Sequence, residues 1–184
     1  MGYSLSDYID DLRRITADGP PEDEIMAQVG PLAVQLSRDP SWLSPSLYET
    51  SAEQGFLAHL LHEELDHSLA VMAVNWLPGR GAPPHDHGTW AVIAGVEGDE
   101  RNVRYKRLDD ALRPGHARLA IKDEIVAGPG ELVCMRSGGI HSVHNDSNSV
   151  SLSLHTYGRH VNHTNRRQFD LARGTETPFI VTTA

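Results

Sequence analysis

The hydrophobic pattern of the chain changes its period near residue 50. Before that point, apolar residues recur every three or four positions, which predicts amphipathic helices. Ser4 and Asp7 have the spacing of a capping box at the start of the first helix. A stripe of apolar residues follows at helical spacing: Leu5, Tyr8, Ile9, Leu12 and Ile15.

A second helix is predicted after Pro20-Pro21, because proline and acidic residues are favoured in a first helical turn. The acids come from the segment EDE, and residues 25–36 continue one apolar face. Gly30-Pro31 is expected to bend or split this helix, since proline removes a backbone hydrogen bond. Asp39-Pro40 ends it. Residues 1–50 are therefore predicted to form a helical N-terminal segment.

From about residue 55 the pattern alternates with period two, as in half-buried β-strands. The segments are short and rich in β-branched residues, and turns such as PGRGAPP and AGPGE separate them. Many short strands at this spacing predict a barrel or sandwich. The fold prediction is a mainly all-β protein with one domain over residues 1–184. Its antiparallel β-barrel spans residues 55–184, and the helices of residues 1–50 pack on it.

Composition narrows the class of function. The formal charge is −9, whereas a nucleic-acid binder or a protein anchored on anionic lipid is expected to be basic. No apolar run approaches the ~20 residues of a membrane span, and the acidic N-terminal stretch is unlike a secretory signal. Cys134 is the single cysteine, so no intrachain disulfide can form. These features predict a cytoplasmic protein without a nucleic-acid or membrane partner.

Histidine is abundant, with 11 residues, and two of them define a candidate metal site. His85 and His87 are two positions apart, so on an extended strand both imidazoles point to the same face. Inside a small barrel that face can hold a ligand. An isolated pair of this kind is often structural. The prediction therefore depends on a third histidine, His141, which belongs to a second motif.

The two motifs read G-x5-H-x-H-x10-G from Gly79 to Gly98 and G-x5-R-x-G-x2-H-x3-N from Gly130 to Asn145. Together they resemble the paired motifs of the cupins, which are jelly-roll barrels, with Arg136 where that family usually has proline. The glutamate that usually follows the second histidine is missing, since Ala91 or Val92 stands there. The resemblance implies three neutral histidine ligands. Such a set favours an anionic ligand on the metal, and it also suits zinc.

Within the cupins, the sequence from about Phe56 to Asp170 resembles the thiol dioxygenases, the group of cysteine dioxygenase and 3-mercaptopropionate dioxygenase. The segments that carry this resemblance are PPHDHGTW, GIHSVHN and SLSLHTYGRHVNHTNRRQFD. The resemblance implies that His85, His87 and His141 bind Fe(II). It also implies that a small thiol is oxidised to its sulfinate with both atoms of O2.

Ser153, His155 and Tyr157 are spaced by two on one predicted strand, so their side chains share a face. A hydroxyl, an imidazole and a phenol at this spacing can form a hydrogen-bonded chain that holds Tyr157 beside the metal. Thiol dioxygenases have similar residues near the oxygen site, which implies a catalytic role for all three. On spacing alone, three interior residues that satisfy one another are an equally good interpretation.

Two departures from the family concern the tyrosine and the substrate. In animal cysteine dioxygenases a cysteine near the position of Ala91 forms a thioether with the active-site tyrosine, so Tyr157 is expected to be unmodified here. The family's carboxylate-binding arginine or glutamine aligns near His59, where this chain has neither, and His59 is itself a candidate substrate-binding residue at that position. Arg166 is the first candidate to bind a substrate carboxylate, because a guanidinium can donate two hydrogen bonds to it. Trp90 is expected to line the pocket.

The predicted function is Fe(II)-dependent oxidation of a small carboxylate-bearing thiol, such as cysteine or 3-mercaptopropionate. A first alternative is a cupin enzyme of another chemistry, for example a zinc or manganese lyase, isomerase or hydrolase. A second is a cupin that binds a small molecule without catalysis. Arg136 and Arg159 are further candidates for the carboxylate. The sequence leaves open the thiol, the formation of homo-oligomers and the role of the N-terminal helices.

Overall fold

The computed structural model describes residues 2–184. Two helices, α1 (Leu5–Thr16) and α2 (Glu22–Ser37), precede the strands. The strands are β1 (Phe56–Glu63), β2 (Ala70–Trp76), β3 (Gly81–His85), β4 (Ala91–Glu97), β5 (Glu100–Arg107), β6 (Leu119–Ala127), β7 (Leu132–Met135), β8 (Ile140–His144), β9 (Ser151–Tyr157), β10 (Arg167–Asp170) and β11 (Thr175–Pro178).

The strands form two sheets that pack face to face. One has the order β1-β2-β9-β4-β7, and the other has the order β11-β10-β3-β8-β5-β6. Neighbouring strands pair antiparallel in both sheets. The prediction of a mainly antiparallel β fold with N-terminal helices packed on it is confirmed.

The two helices begin where the sequence predicts. The Ser4 hydroxyl accepts a hydrogen bond from the amide of Asp7, and the Asp7 carboxylate accepts one from the amide of Ser4. The expected split at Gly30-Pro31 is wrong, because α2 continues through the proline. Burial of Val29 and Ala33 on either side of it stabilises the helix. Neither helix in the described part of the chain is long and apolar enough to cross a membrane.

The helices cover the outer face of the five-stranded sheet. Leu12 and Val29 pack in one core cluster with Val92 of β4. The hydroxyl of Tyr8 lies 2.7 Å from the hydroxyl of Thr156 on β9. Because helices cover one face and the second sheet covers the other, β2 and β9 are buried along their whole length.

The inner face of the same sheet forms a second core. Met72 and Val74 of β2 and Ile93 of β4 pack with Val143, which lies on β8 of the opposite sheet. A small cavity opens between the sheets next to this core. The side-chain period of two therefore decides whether a residue of the five-stranded sheet faces the helices or the cavity.

Two motif glycines shape the turns beside the cavity. Gly79 has φ +67° before β3, and Gly98 has φ +71° after β4. Residues with a Cβ rarely adopt this left-handed conformation. The two glycines of the first motif therefore set how the chain enters and leaves the segment that carries the histidine pair.

Candidate metal centre

Three histidines meet at one end of the cavity. His85 is the last residue of β3 and lies directly opposite His141 in the neighbouring strand β8. His87 follows two positions later, beyond the end of the strand, so its predicted place on a common strand is wrong. The three side chains are between 1% and 4% exposed. Their ligand atoms all lie within 4.8 Å of one another, as in a group that could hold a metal ion.

Hydrogen bonds fix how two of these rings point. The Nδ1–H of His85 donates to the carbonyl of Pro83 at 2.7 Å, and the Nδ1–H of His141 donates to Oδ1 of Asn102 at 2.8 Å. Both rings therefore keep the Nε2 lone pair for a ligand. Nε2 of His141 lies 3.3 Å from Nε2 of His87. Two nitrogen ligands with bonds of about 2.1 Å to one ion lie about this far apart.

Burial keeps the three imidazoles neutral. It lowers the pKa of His141 to about 3, with the positive charge of Arg166 adding to the effect. It also lowers the pKa of His85 and His87 well below the usual histidine value, and the neighbouring histidines contribute. A neutral imidazole is the form that binds a metal. The donor set thus fits a divalent transition-metal ion without any change of protonation at neutral pH.

A second group of metal-binding residue types, Glu63, His67 and His163, lies nearer the surface. The rings of His67 and His163 are stacked, with centroids 3.5 Å apart and planes at 9°. Each imidazole binds a metal in its own plane, so two parallel rings at this spacing do not aim at one ion. The buried triad is therefore the better metal site of the two.

Beside the triad, Ser153, His155 and Tyr157 form a continuous hydrogen-bonded chain on β9. The Ser153 Oγ lies 2.8 Å from Nε2 of His155, and Nδ1 of His155 lies 2.7 Å from the hydroxyl of Tyr157. The Tyr157 ring packs edge to face against His87 with centroids 5.1 Å apart. The structure thus brings these three predicted residues together next to the three histidines.

Both titratable members of this chain are neutral at ordinary pH. Burial lowers the pKa of His155 to about 3, and it raises the pKa of Tyr157 well above the usual value for tyrosine. The phenol therefore keeps its proton and acts as a hydrogen-bond donor or acceptor rather than as a charge. Ala91 pairs directly with Tyr157 in the sheet, while Cys134 is exposed. No cysteine thus stands beside the tyrosine, in line with the expectation of an unmodified phenol.

Arg166 extends into the same cavity from the segment before β10. It is 5% exposed, its guanidinium carbon lies 4.4 Å from the ring centroid of Phe179, and Nε donates to the carbonyl of Asp86. Burial lowers its pKa to about 10, so it remains a cation. Within residues 2–184, no carboxylate forms a salt bridge with it. The cavity therefore contains a buried positive charge that the carboxylate of Asp86 influences but does not bind in a salt bridge.

Two predicted substrate-binding residues lie outside the cavity. His59 lies on the outer face of β1, where Nε2 is 2.9 Å from the carbonyl of Glu49, while Phe56 and Ala58 face the cavity. Trp90 belongs to the core beneath the helices. The His59 side chain faces away from the cavity, because a shift of one position reverses a strand residue. Trp90 precedes β4 and is buried beneath the helices, so it does not line the cavity.

The two alternative arginines are also placed outside the cavity. Arg136 is an exposed residue whose guanidinium pairs with Asp23 of α2. Arg159 is exposed as well. Of the three arginines that the sequence suggested for a carboxylate, Arg166 alone lines the cavity.

Sequence analysis missed two buried polar residues on β5. Asn102, 1% exposed, orients His141 through the hydrogen bond described above. Glu100, 4% exposed, lies two positions earlier and faces Ser153 of the opposite sheet. The sequence does contain one indication of them: Glu100 and Asn102 are two positions apart in the segment ERNVRYKR, so on a strand their polar side chains lie on the same face.

No protein-family model matches the chain. A solved oxalate oxidase in complex with the substrate analogue glycolate matches at 16% identity and a TM-score of 0.47, covering 64% of this chain and 59% of its own. The DMSP lyase DddQ from Ruegeria pomeroyi DSS-3 matches at 18% identity and a TM-score of 0.46, covering 68% of this chain and 55% of its own. This chain thus spans less than two thirds of either protein.

An uncharacterised conserved protein with a double-stranded β-helix domain, from Klebsiella pneumoniae, matches at 11% identity and a TM-score of 0.48. The alignment covers 71% of this chain and 92% of that one. Identities this low bear on the fold alone. A Cupin_2 domain of an XRE family transcriptional regulator from Enterobacter cloacae is also among the similar solved structures, at 13% identity and a TM-score of 0.41, covering 56% of this chain and 96% of its own.

Proposed function

We propose that the protein is an Fe(II)-dependent thiol dioxygenase that oxidises a small carboxylate-bearing thiol to its sulfinate. The reaction is balanced without another reactant: RSH and O2 give RSO2H, with both oxygen atoms bound to sulfur. His85, His87 and His141 would hold the iron. The substrate would be a thiol such as cysteine or 3-mercaptopropionate.

The observation that carries the proposal is the charge of the cavity. Three neutral histidines leave the charge of a divalent ion uncompensated, and Arg166 adds a buried cation that forms no salt bridge, although the charge of Asp86 acts on it from nearby. Buried charges are costly unless they are paired. A thiolate and a carboxylate on one small molecule would neutralise most of this charge. A ligand with either group alone would leave one of the two cations unpaired.

The residues of the chain would act on such a substrate in separate ways. Arg166 would donate hydrogen bonds to the carboxylate and so orient the thiol sulfur toward the histidine end of the cavity. Tyr157, held by His155, would donate a hydrogen bond to the reacting atoms. Val74, Val161 and Phe179 line the cavity and would exclude water. Bound Fe(II) would supply the place where thiolate and O2 meet and the electrons that activate O2.

A cupin metalloenzyme of another chemistry is the second candidate. It is favoured by the absence of a carboxylate ligand, because three histidines and an open position are also a typical catalytic zinc site. Ala91 and Val92 occupy the positions where the missing glutamate would stand. This alternative keeps the metal triad but requires no thiol and no O2.

The test is O2 consumption by Fe(II)-loaded protein with a panel of thiols: cysteine, 3-mercaptopropionate, mercaptosuccinate, cysteamine and a neutral thiol. We expect uptake with a carboxylate-bearing thiol, one O2 for each sulfinate formed, and little with cysteamine. No uptake with any thiol, with iron confirmed in the site, would overturn the proposal in favour of the second candidate.

Arg166→Gln tests directly whether Arg166 binds the carboxylate of the substrate. Loss of a charge-assisted pair of hydrogen bonds should raise KM for the carboxylate-bearing thiol by roughly tenfold to a hundredfold. KM for the neutral thiol should change little. Arg159→Gln is the matched control, because Arg159 is exposed and outside the cavity. Equal effects of both variants would contradict the role of Arg166.

A further inference from the structure

Glu100 is a buried carboxyl group at the far end of the Ser153–His155–Tyr157 chain. It starts β5 in the six-stranded sheet and is 4% exposed. The hydroxyls of Ser151 and Ser153 and the indole of Trp76 face its carboxyl group from the opposite sheet. Its Oε1 has no hydrogen-bond partner, and neither have the Ser151 hydroxyl and the Trp76 indole N–H. Glu100 thus lies in the other sheet beside the end of the chain on β9, with unpaired polar atoms around it.

The surroundings of Glu100 favour its neutral form. The groups that face it, from β9 and from β2, are uncharged donors, and no cation in the described part of the chain offsets its charge. The titratable group whose pKa responds to a charge on Glu100 is Tyr157. Burial raises the pKa of Glu100 to about 8. At neutral pH it is therefore mainly a carboxylic acid, with an O–H to donate.

A hydrogen-bonded chain through a neutral imidazole has two directions. In the first, the Ser153 hydroxyl donates to Nε2 of His155, and Nδ1–H donates to the oxygen of Tyr157. The Tyr157 O–H then remains free to donate into the cavity. In the second direction, Tyr157 donates to Nδ1 and Nε2–H donates to Ser153. The phenol oxygen can then only accept a hydrogen bond from a group in the cavity.

We propose that Glu100, as a neutral carboxylic acid, selects the first direction by donating to Ser153, and so turns the Tyr157 O–H toward the metal end of the cavity. Glu100 is thus a positioning residue that acts through three other side chains. This inference rests on the proposed function where it concerns catalysis. The direction of the hydrogen bonds does not depend on the reaction.

Ionisation of Glu100 reverses the chain. A carboxylate can only accept, so Ser153 then donates to Glu100, His155 carries its proton on Nε2, and Tyr157 donates to Nδ1. The tyrosine hydroxyl no longer donates into the cavity. Raising the pH through about 8, the value at which Glu100 loses its proton, therefore withdraws the hydrogen bond that Tyr157 gives to a substrate.

The test is the tautomer of His155, read from its ¹⁵N chemical shifts in full-length, Zn(II)-loaded protein at pH 6.5 and pH 9.5. The signals are assigned by comparison with His155→Gln. We expect the proton on Nδ1 at the lower pH and on Nε2 at the higher pH. The same tautomer at both pH values would overturn the proposal, and zinc keeps the measurement independent of thiol oxidation.

Three variants make the result specific to Glu100. Glu100→Gln keeps a donor but cannot ionise, so the proton should stay on Nδ1 at both pH values. Ser153→Ala breaks the connection and should abolish the pH dependence. Glu124→Gln, an exposed glutamate on the neighbouring strand β6, should behave as the wild type. A tautomer change in Glu100→Gln that matched the wild type would assign the titration to another group.

Stability gives a second measurement. Folded Glu100 keeps its proton up to about pH 8, whereas the unfolded side chain loses it near its ordinary pKa of about 4.3. The stabilising effect of the bound proton is fully present below the unfolded pKa and is lost as pH rises toward the folded pKa. The denaturant midpoint of the wild type should therefore fall relative to Glu100→Gln between pH 5 and pH 8. Parallel profiles would contradict a raised Glu100 pKa.

The pH dependence of kcat tests the proposed reaction and the role of Glu100 together, and either proposal can fail without the other. In the wild type, kcat should fall above about pH 8, and Glu100→Gln should retain kcat to higher pH. If the wild type and Glu100→Gln both oxidise thiols and their kcat values depend on pH in the same way, the role of Glu100 alone is overturned. The expected tautomer change in a protein that takes up no O2 would overturn the proposed reaction alone.

Discussion

The two sheets contribute different parts of the site. The six-stranded sheet supplies His85 and His141, and His87 follows its strand β3. The five-stranded sheet supplies the hydrogen-bonded chain from Ser153 to Tyr157 on β9, a strand that is buried on both faces. In contrast, β6 at the edge of the six-stranded sheet is largely exposed. Metal binding and hydrogen-bond donation can therefore be disrupted separately by changes in different sheets.

The largest effect on the contribution of a single sheet, here metal binding, is expected from His141→Ala. Loss of a ligand should weaken metal binding by more than the ~10–100-fold that the loss of an outer partner costs. His144→Ala is the control, since His144 lies on the same strand but bonds to Ser142 on the opposite face. Metal content after dialysis measures both variants. Equal metal retention in the two would show that the triad is not the binding site.

Asn102→Ala should have a smaller effect on the same property. It removes the acceptor of the His141 Nδ1–H, so the ring loses its fixed tautomer and orientation. We expect metal affinity to fall by about tenfold to a hundredfold, with the three ligands still present. Competition with a chelator of known affinity provides the measurement. Unchanged affinity would mean that burial alone orients His141.

Tyr157→Phe should affect the hydrogen-bonded chain of the five-stranded sheet and leave metal content intact. Removing one hydrogen bond to a charged reacting group should lower kcat by about tenfold to a hundredfold. Tyr105→Phe is the control, because its hydroxyl bonds to Ser142 outside the cavity. Turnover is compared at equal iron content. A loss of iron in Tyr157→Phe would contradict the assigned role of the phenol.

The sequence predicts best what is encoded locally. The Ser153-to-Tyr157 triplet lies on one strand, so a period of two is enough to place its side chains together. His85 and His87 also meet, but His87 lies beyond the end of β3, so the period of two does not explain their meeting. The N-terminal helices were equally clear from their apolar stripe and the capping box at Ser4.

Two kinds of residue were harder to predict, and each has a physical reason. His59 faces away from the cavity, whereas its strand neighbour Ala58 lines it, because one position reverses a strand residue. Glu100 and Asn102 are not apparent in the sequence because the residues that face them lie on other strands, distant in sequence, such as Ser153 for Glu100 and His141 for Asn102. Contacts across a barrel depend on strand order and register, which a hydrophobic pattern does not contain.

The bond between Tyr8 and Thr156 connects the helical layer to the strand that carries Tyr157. Thr156 stands between His155 and Tyr157 on β9, and its hydroxyl is held from behind by α1. Heat that loosens α1 is expected to disturb Tyr157 before it disturbs the histidines on the other sheet. Under the proposed function, a heat-damaged molecule would then keep its metal after it had lost its activity, so metal content would be a poor measure of the active fraction.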